Sequence, residues 1–334
     1  MTFESIIGQE RAIRLLTRIL ENNRLAHALL FTGVDGIGRQ TTAMAMAMVL
    51  NCLKPVGTSA CGVCRSCKKV ISGNHPDVII VKPSGTFIKI DQVRSLRKVL
   101  RFAPLEGGRR VIIINDAHAM NLEASNAMLK ILEEPPNDTY IIITASRTMD
   151  LLPTIVSRCQ QIPFRPVAVA DIAAALGTRS GLDADAATAV AVLAKGSLGR
   201  ALSADAEKWM DWRKDLLERV ELVSSESTHA LFVFADTLAR DKDRLQDALD
   251  VINIWFRDIL ICRFHPEKIL NRDCMEEIQR KSEQLSVHDI LEIIMAVSAA
   301  QRAIVKNANR RLALEVMMMR MSSAFRKSLH PQGD

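Results

Sequence analysis

Aromatic side chains are scarce in this 334-residue chain: one Tyr, three Trp and ten Phe make up 4% of it. Proteins that grip single strands by stacking bases need several aromatic platforms, so the composition argues against that mode of binding. Long hydrophobic runs are missing too. Nothing approaches the roughly 20 apolar residues that span a bilayer, and Met1-Thr-Phe-Glu4 lacks the basic-then-apolar pattern of a secretion signal. A cytoplasmic protein with no membrane role is expected. No charge sign dominates: 44 Lys and Arg against 38 Asp and Glu give +6, which permits nucleic-acid or acidic partners without requiring them.

Two further absences bear directly on chemistry. Arg110-Val-Ile-Ile-Ile-Asn115-Asp116 has the form of a nucleotide-hydrolysis strand, but it ends in Asn-Asp where Asp-Glu would hold Mg²⁺ and activate water. The apolar run His27-Ala-Leu-Leu-Phe31 leads into Gly33-Val-Asp-Gly36-Ile-Gly38-Arg39-Gln40-Thr41 and then a helical stretch from Thr42 to Leu53. That is the context of a phosphate-binding loop, G-x-x-x-x-G-K-[ST], whose Lys reaches the β and γ oxygens and whose hydroxyl ligates Mg²⁺. Here Arg39 replaces the compact ammonium with a planar fork, and Gln40 replaces the hydroxyl with an amide. Thr41 is one residue out of register. Autonomous ATP hydrolysis is not expected. Phosphate binding by the loop stays open, as does a glycine-rich turn with no ligand.

What is present begins with cysteine. Of seven, four gather as Cys52, Cys61, Cys64 and Cys67, with spacing C-x₈-C-x₂-C-x₂-C. In a chain expected in a reducing compartment, four soft thiolates so close suit structural, tetrahedral Zn²⁺ with no open position for catalysis. A redox or disulfide role is the alternative. Cys262 and Cys274 need no more than burial as small hydrophobes.

With 48% apolar and 25% charged residues, the chain reads as globular, in two or three domains. Strand-like runs at 77–81, 110–114 and 140–144 alternate with helical stretches at Asp91 to Phe102, capped by Asp91, and Asn121 to Glu134, stopped by Pro135-Pro136. The alternation predicts a parallel sheet. Beyond Pro166 strand signals vanish. An alanine-rich stretch to Ala204 and a longer stretch from Asp205 both read as helical, with one helical run spanning Ile290 to Phe325 and a frayed end at 328–334. Met317-Met318-Met319 reads as core or subunit packing rather than a cofactor site.

Several segments, in order, carry a resemblance over essentially the whole chain. They are Arg24-Leu-Ala-His27, the cysteine knuckle, Ile88-Lys-Ile-Asp91-Gln-Val-Arg94, Asn126-Ala-Met-Leu-Lys130-Ile-Leu-Glu133-Glu134-Pro-Pro136 and Ser157-Arg158-Cys159. Together they resemble the bacterial clamp-loader AAA+ subunits. Arg39-Gln40 and Asn115-Asp116, with Gly199 where an active subunit carries its sensor arginine in Gly196-Ser-Leu-Gly-Arg200, are similar to the delta-prime branch rather than the ATP-hydrolysing tau/gamma type.

The resemblance implies a fold and a role. The fold is α/β followed by all-α: an AAA+ P-loop domain over 1–166 with a zinc module at about 52–67, a helical lid over 167–206 and a helical collar over 207–334, including Asn307 to Leu312. The role is that of a non-hydrolysing member of a hetero-pentamer in the DNA polymerase III holoenzyme. Its partners are gamma/tau-type and delta-type subunits and, through the complex, the sliding clamp and primed DNA. Arg158 would reach in trans to the γ-phosphate held by a neighbour, its alternative being a surface ion pair. Arg94, Arg97, Lys98 and Arg101 would face DNA, the clamp or solvent. Two other functions stay open: a gamma-type or other AAA+ ATPase working through Arg39 and Asp116, and a zinc-containing nucleic-acid-binding regulator.

Overall fold

Runs rich in Ile and Val that are apolar without alternation form strands buried on both faces. The computed structural model describes residues 2–106, 108–223 and 227–329. In it β1 (Ala28–Thr32), β2 (Val78–Val81), β3 (Arg110–Ile114), β4 (Thr139–Ala145) and β5 (Gln160–Pro163) make one parallel sheet in the order β2-β3-β4-β1-β5. Four of these were expected from the sequence. The fifth was not: Gln160-Gln-Ile-Pro163 buries only Ile162 and ends in proline, which an edge strand tolerates and a central one does not.

Helices cover both faces: α1 (Glu10–Glu21), α2 (Arg39–Asn51), α3 (Arg65–Ile71), α4 (Ile90–Val99), α5 (Leu122–Glu133) and the short α6 (Pro153–Val156). Leu29, Phe31, Val111, Ile113 and Ile142 pack with Leu16, Ala43 and Met46 on one side. Leu30, Ile112, Ile114, Ile141 and Ile143 pack with Val93, Leu96, Met128 and Ile131 on the other. The result is a three-layer α/β sandwich around a parallel sheet, as the alternation of runs predicts. Asn121 caps α5 by accepting from Ala124 N at 2.9 Å, and α5 stops before the two prolines. The expected cap at Asp91 is displaced: Lys89 is the N-cap of α4, and Asp91 lies within its first turn.

The chain divides into two compact units, Met1–Asp171 with Gly196–Arg200, and Ile172–Lys195 with Ala201–Asp334. From residue 169 on, the described residues contain no strand. The helices are α7 (Val169–Ser180), α8 (Ala184–Leu193), α9 (Leu198–Ser203), α10 (Ala206–Leu222), α11 (Thr228–Arg240), α12 (Leu245–Cys262), α13 (Met275–Gln284), α14 (Val287–Val305) and α15 (Arg310–Leu329). The second unit has its own core around Trp255, Phe256, Ile293 and Met321. Met317 and Met318 belong to it, whereas Met319 is 52% exposed. The single helix expected over Ile290 to Phe325 is two, broken where Asn307 adopts φ 62°, a left-handed conformation that asparagine tolerates. At the end expected to fray, helix continues to Leu329, and 330–334 lie outside the described residues.

Candidate functional site

The sheet order sets β1 between β4 and β5, and its C-terminal end delivers the chain into the glycine loop. Gly33, Gly36 and Gly38 all take positive φ, and Gly38 is the N-cap of α2 with φ 103°. No side chain caps that helix end, so its first N–H groups face the loop, as in a phosphate cradle.

The side chains set around this cradle are unlike those of a hydrolase. Arg39 is 5% exposed. Its Nη2 forms an ion pair with Asp35 one turn back and lies 3.9 Å from Asp116 Oδ1. Its Nη1 is buried with no hydrogen-bond partner among the described residues. Asp35 also accepts from Ser146 Oγ at 3.3 Å, just beyond β4. Gln40 points outward and is exposed, while the nearby Thr42 hydroxyl donates to Gly38 O at 2.8 Å and so serves the helix. Asn115, directly after β3, is 4% exposed, and neither of its side-chain polar atoms has a hydrogen-bond partner among the described residues. Asp116 takes φ 51°, and its N–H donates to Thr144 Oγ1 at 3.0 Å. One guanidinium thus faces two carboxylates.

The segment 196–200 closes on the loop from another side. Gly199 N donates to Gly36 O at 2.8 Å. A Cβ at position 199 would lie 3.0 Å from Gly36 Cα, and one at Gly36 only 2.3 Å from Ser197 Oγ. The two backbones meet with no side chain between them. Arg200, the next residue, donates its backbone N–H to Ser197 Oγ at 3.2 Å.

Arg158 lies away from this loop, between α6 and β5. Its Nη2 donates to Glu133 Oε1 at 2.7 Å and its Nη1 to Thr154 O at 3.1 Å, with the side chain 36% exposed. Within this chain, then, Arg158 makes a surface ion pair. Such pairs contribute about 0–1 kcal/mol, so the guanidinium is cheaply released. Arg94, Arg97 and Lys98 are exposed along α4 and Arg101 in the turn just after it, and Arg94 lies 3.6 Å from Asp91.

Between α2 and α3 the four cysteines converge, their sulfurs all within 4.8 Å of one another and Cys61 Sγ 4.0 Å from Cys67 Sγ. Tetrahedral zinc with bonds near 2.3 Å sets its sulfurs roughly 3.8 Å apart, so these residues fit that ion. Backbone N–H groups aim at the sulfurs: Cys61 N at Cys52, Cys64 N at Cys61 and Cys67 N at Cys64, at 3.3–3.4 Å. Burial opposes ionisation of Cys64, but the N–H groups of Cys67 and Leu53 outweigh it and hold the thiol at about 6. Burial pushes the Cys67 thiol up. The N–H groups of Val63 and Cys64 lower Cys61.

Sequence reasoning missed the layer behind this knuckle. His75 Nε2 meets Ser66 Oγ of α3 at 3.1 Å, and its Nδ1 accepts from Asp77 N. Asp77, fully buried, accepts from Leu105 N and Glu106 N at 2.7 Å each. Arg110, 2% exposed, donates to the carbonyls of Val99, Phe102 and Ala103. Its Nη2 lies 3.8 Å from Asp77 Oδ1. The available signal was opposite charges at the starts of two apolar strand runs, Asp77 and Arg110.

Residues 8–168 match the family described as DNA polymerase III, delta subunit, and residues 207–323 match DNA polymerase III, delta subunit, C terminal. DNA polymerase III subunit delta' of Bacillus subtilis is 29% identical over 319 residues, covering 93% of this chain and 95% of the relative. The Pseudomonas aeruginosa subunit delta' is 41% identical over 138 residues, 41% of this chain and 42% of the relative. Subunit tau of Bacillus subtilis is 25% identical over 352 residues, 98% of this chain and 62% of tau.

Proposed function

Because the chain belongs to the delta-prime family of bacterial DNA polymerase III clamp-loader subunits, we propose that it is the loader's non-hydrolysing wall, with a degenerate nucleotide site of its own and an arginine given to a neighbour's. The observation that carries this reading is the state of Arg39. The one cation of the P-loop is paired with Asp35 of the same loop, and Asn115 stands where a metal-binding carboxylate belongs.

Arg158 supplies the positive half. Held by an exposed ion pair with Glu133 and one bond to Thr154 O, it swings to a γ-phosphate bound by an adjacent gamma/tau-type subunit, where its fork donates two hydrogen bonds as the bond to the leaving group loosens. Residues 1–166 act as the AAA+ domain, 167–206 as a lid and 207–334 as a collar, in a cytoplasmic hetero-pentamer with gamma/tau-type and delta-type subunits. That assembly places the sliding clamp on primed DNA. Cys52, Cys61, Cys64 and Cys67 hold one structural zinc, which ties α2 to α3 and does no chemistry.

The test is reconstitution. Arg158→Ala should fold as the parent does, while the ATPase of the assembled loader, stimulated by clamp and primed DNA, falls by roughly tenfold or more, since such fingers are worth ~10³–10⁵ at a single site. Full stimulated activity in the variant complex would end the finger assignment. Turnover by the isolated chain, abolished by Arg39→Ala, would favour a gamma-type ATPase instead.

A further inference from the structure

We infer that Asp35 is a built-in occupant of this P-loop: its carboxylate takes the place of a phosphate on Arg39 and so holds the site closed to polyphosphates. The inference deepens the degenerate-site reading and rests on it. The missing Lys, hydroxyl and first carboxylate remove catalysis and Mg²⁺ binding, yet they do not by themselves remove an anion site. What would attract a polyphosphate is still here. The 13-residue helix α2 presents an uncapped N-terminus behind Gly38. Arg39 Nη1 and both polar atoms of Asn115 are buried at the same end of the sheet with no hydrogen-bond partner among the described residues.

Against that stands one side chain. Asp35 is i−4 to Arg39 and pairs with its Nη2 through Oδ1, the same oxygen that accepts from Ser146 Oγ. An anionic carboxylate on a guanidinium makes the same charge-assisted bonds as a phosphoryl oxygen, so it competes for the same donors. It also turns the charge balance: Arg39 against Asp35 and Asp116 leaves one net negative charge beside the cradle, where a triphosphate would have to enter. The Asp35 side chain is 73% exposed, so its replacement costs the fold little.

Isothermal titration of the full chain with ATP, and separately with inorganic pyrophosphate, tests this without added Mg²⁺. The parent should give no heat of binding. Asp35→Ala and Asp35→Asn should each give measurable binding of both ligands, at least about tenfold tighter than the detection limit that the parent fails to reach, because a full charge a few ångströms from the anion is withdrawn. The double variant Asp35→Ala/Arg39→Ala should lose that gain. Silence from both single variants, or a gain that survives in the double variant, would overturn the role of Asp35 and leave the degenerate-site reading intact. Tight binding of ATP by the parent would also overturn the role of Asp35, only turnover of that ATP would count against the degenerate-site reading, and none of these results touches the Arg158 reconstitution.

Discussion

If Arg158 serves a neighbouring site as proposed, its pairing with Glu133 is what it has to give up. Glu133→Gln removes the ion pair but keeps an acceptor, and with both side chains well exposed it should change unfolding free energy by less than about 1 kcal/mol in urea titration. In the reconstituted loader the same variant should retain full stimulated ATPase, since the finger no longer has to leave a carboxylate. Arg158→Lys should behave almost like Arg158→Ala there, because an ammonium keeps the charge and loses the two-pronged geometry. The substitutions Arg39, Gln40, Asn115 and Gly199 were legible in the sequence because a motif fixes what each position does. The pairing of Asp35 was not. It sits at a loop position the motif leaves free, and only folding shows that the turn of the glycine loop brings it onto Arg39.

Among the elements, the C-terminal end of α4 is pinned from below. Arg110 closes three carbonyls there, and Asp77 receives two N–H groups of the following loop. Arg110→Met should cost about 3–5 kcal/mol in chemical denaturation, because it strands a buried carboxylate and leaves those carbonyls without a donor. The cysteine knuckle has its own check. Elemental analysis of protein purified under reducing, chelator-free conditions should give about one zinc per chain, and Cys64→Ser should lower that ratio markedly. Four of the five strands were legible because continuous apolar runs mark a sheet buried on both faces. β5 was not, because two glutamines and a proline hide a strand whose only demand is to bury Ile162. The break between α14 and α15 was signalled by Asn307 and Asn309, but apolar spacing continues across it and masked the turn.

For the whole molecule, the two units each have a separate apolar core, one on the sheet and one around Trp255 and Phe256. Calorimetry should therefore resolve two transitions, with chelation of zinc lowering only the one belonging to the sheet unit. A single cooperative transition that shifts as one on chelation would show that the units are thermodynamically fused.

The approach of Gly199 to Gly36 also bears on descent. With 3.0 Å between a would-be Cβ and the opposing backbone, a side chain at position 199 requires the glycine loop at Gly36 to give way by a few tenths of an ångström. On the proposed reading, restoring a sensor arginine there therefore asks for a backbone adjustment at Gly36 as well as the new side chain, and the two changes are coupled.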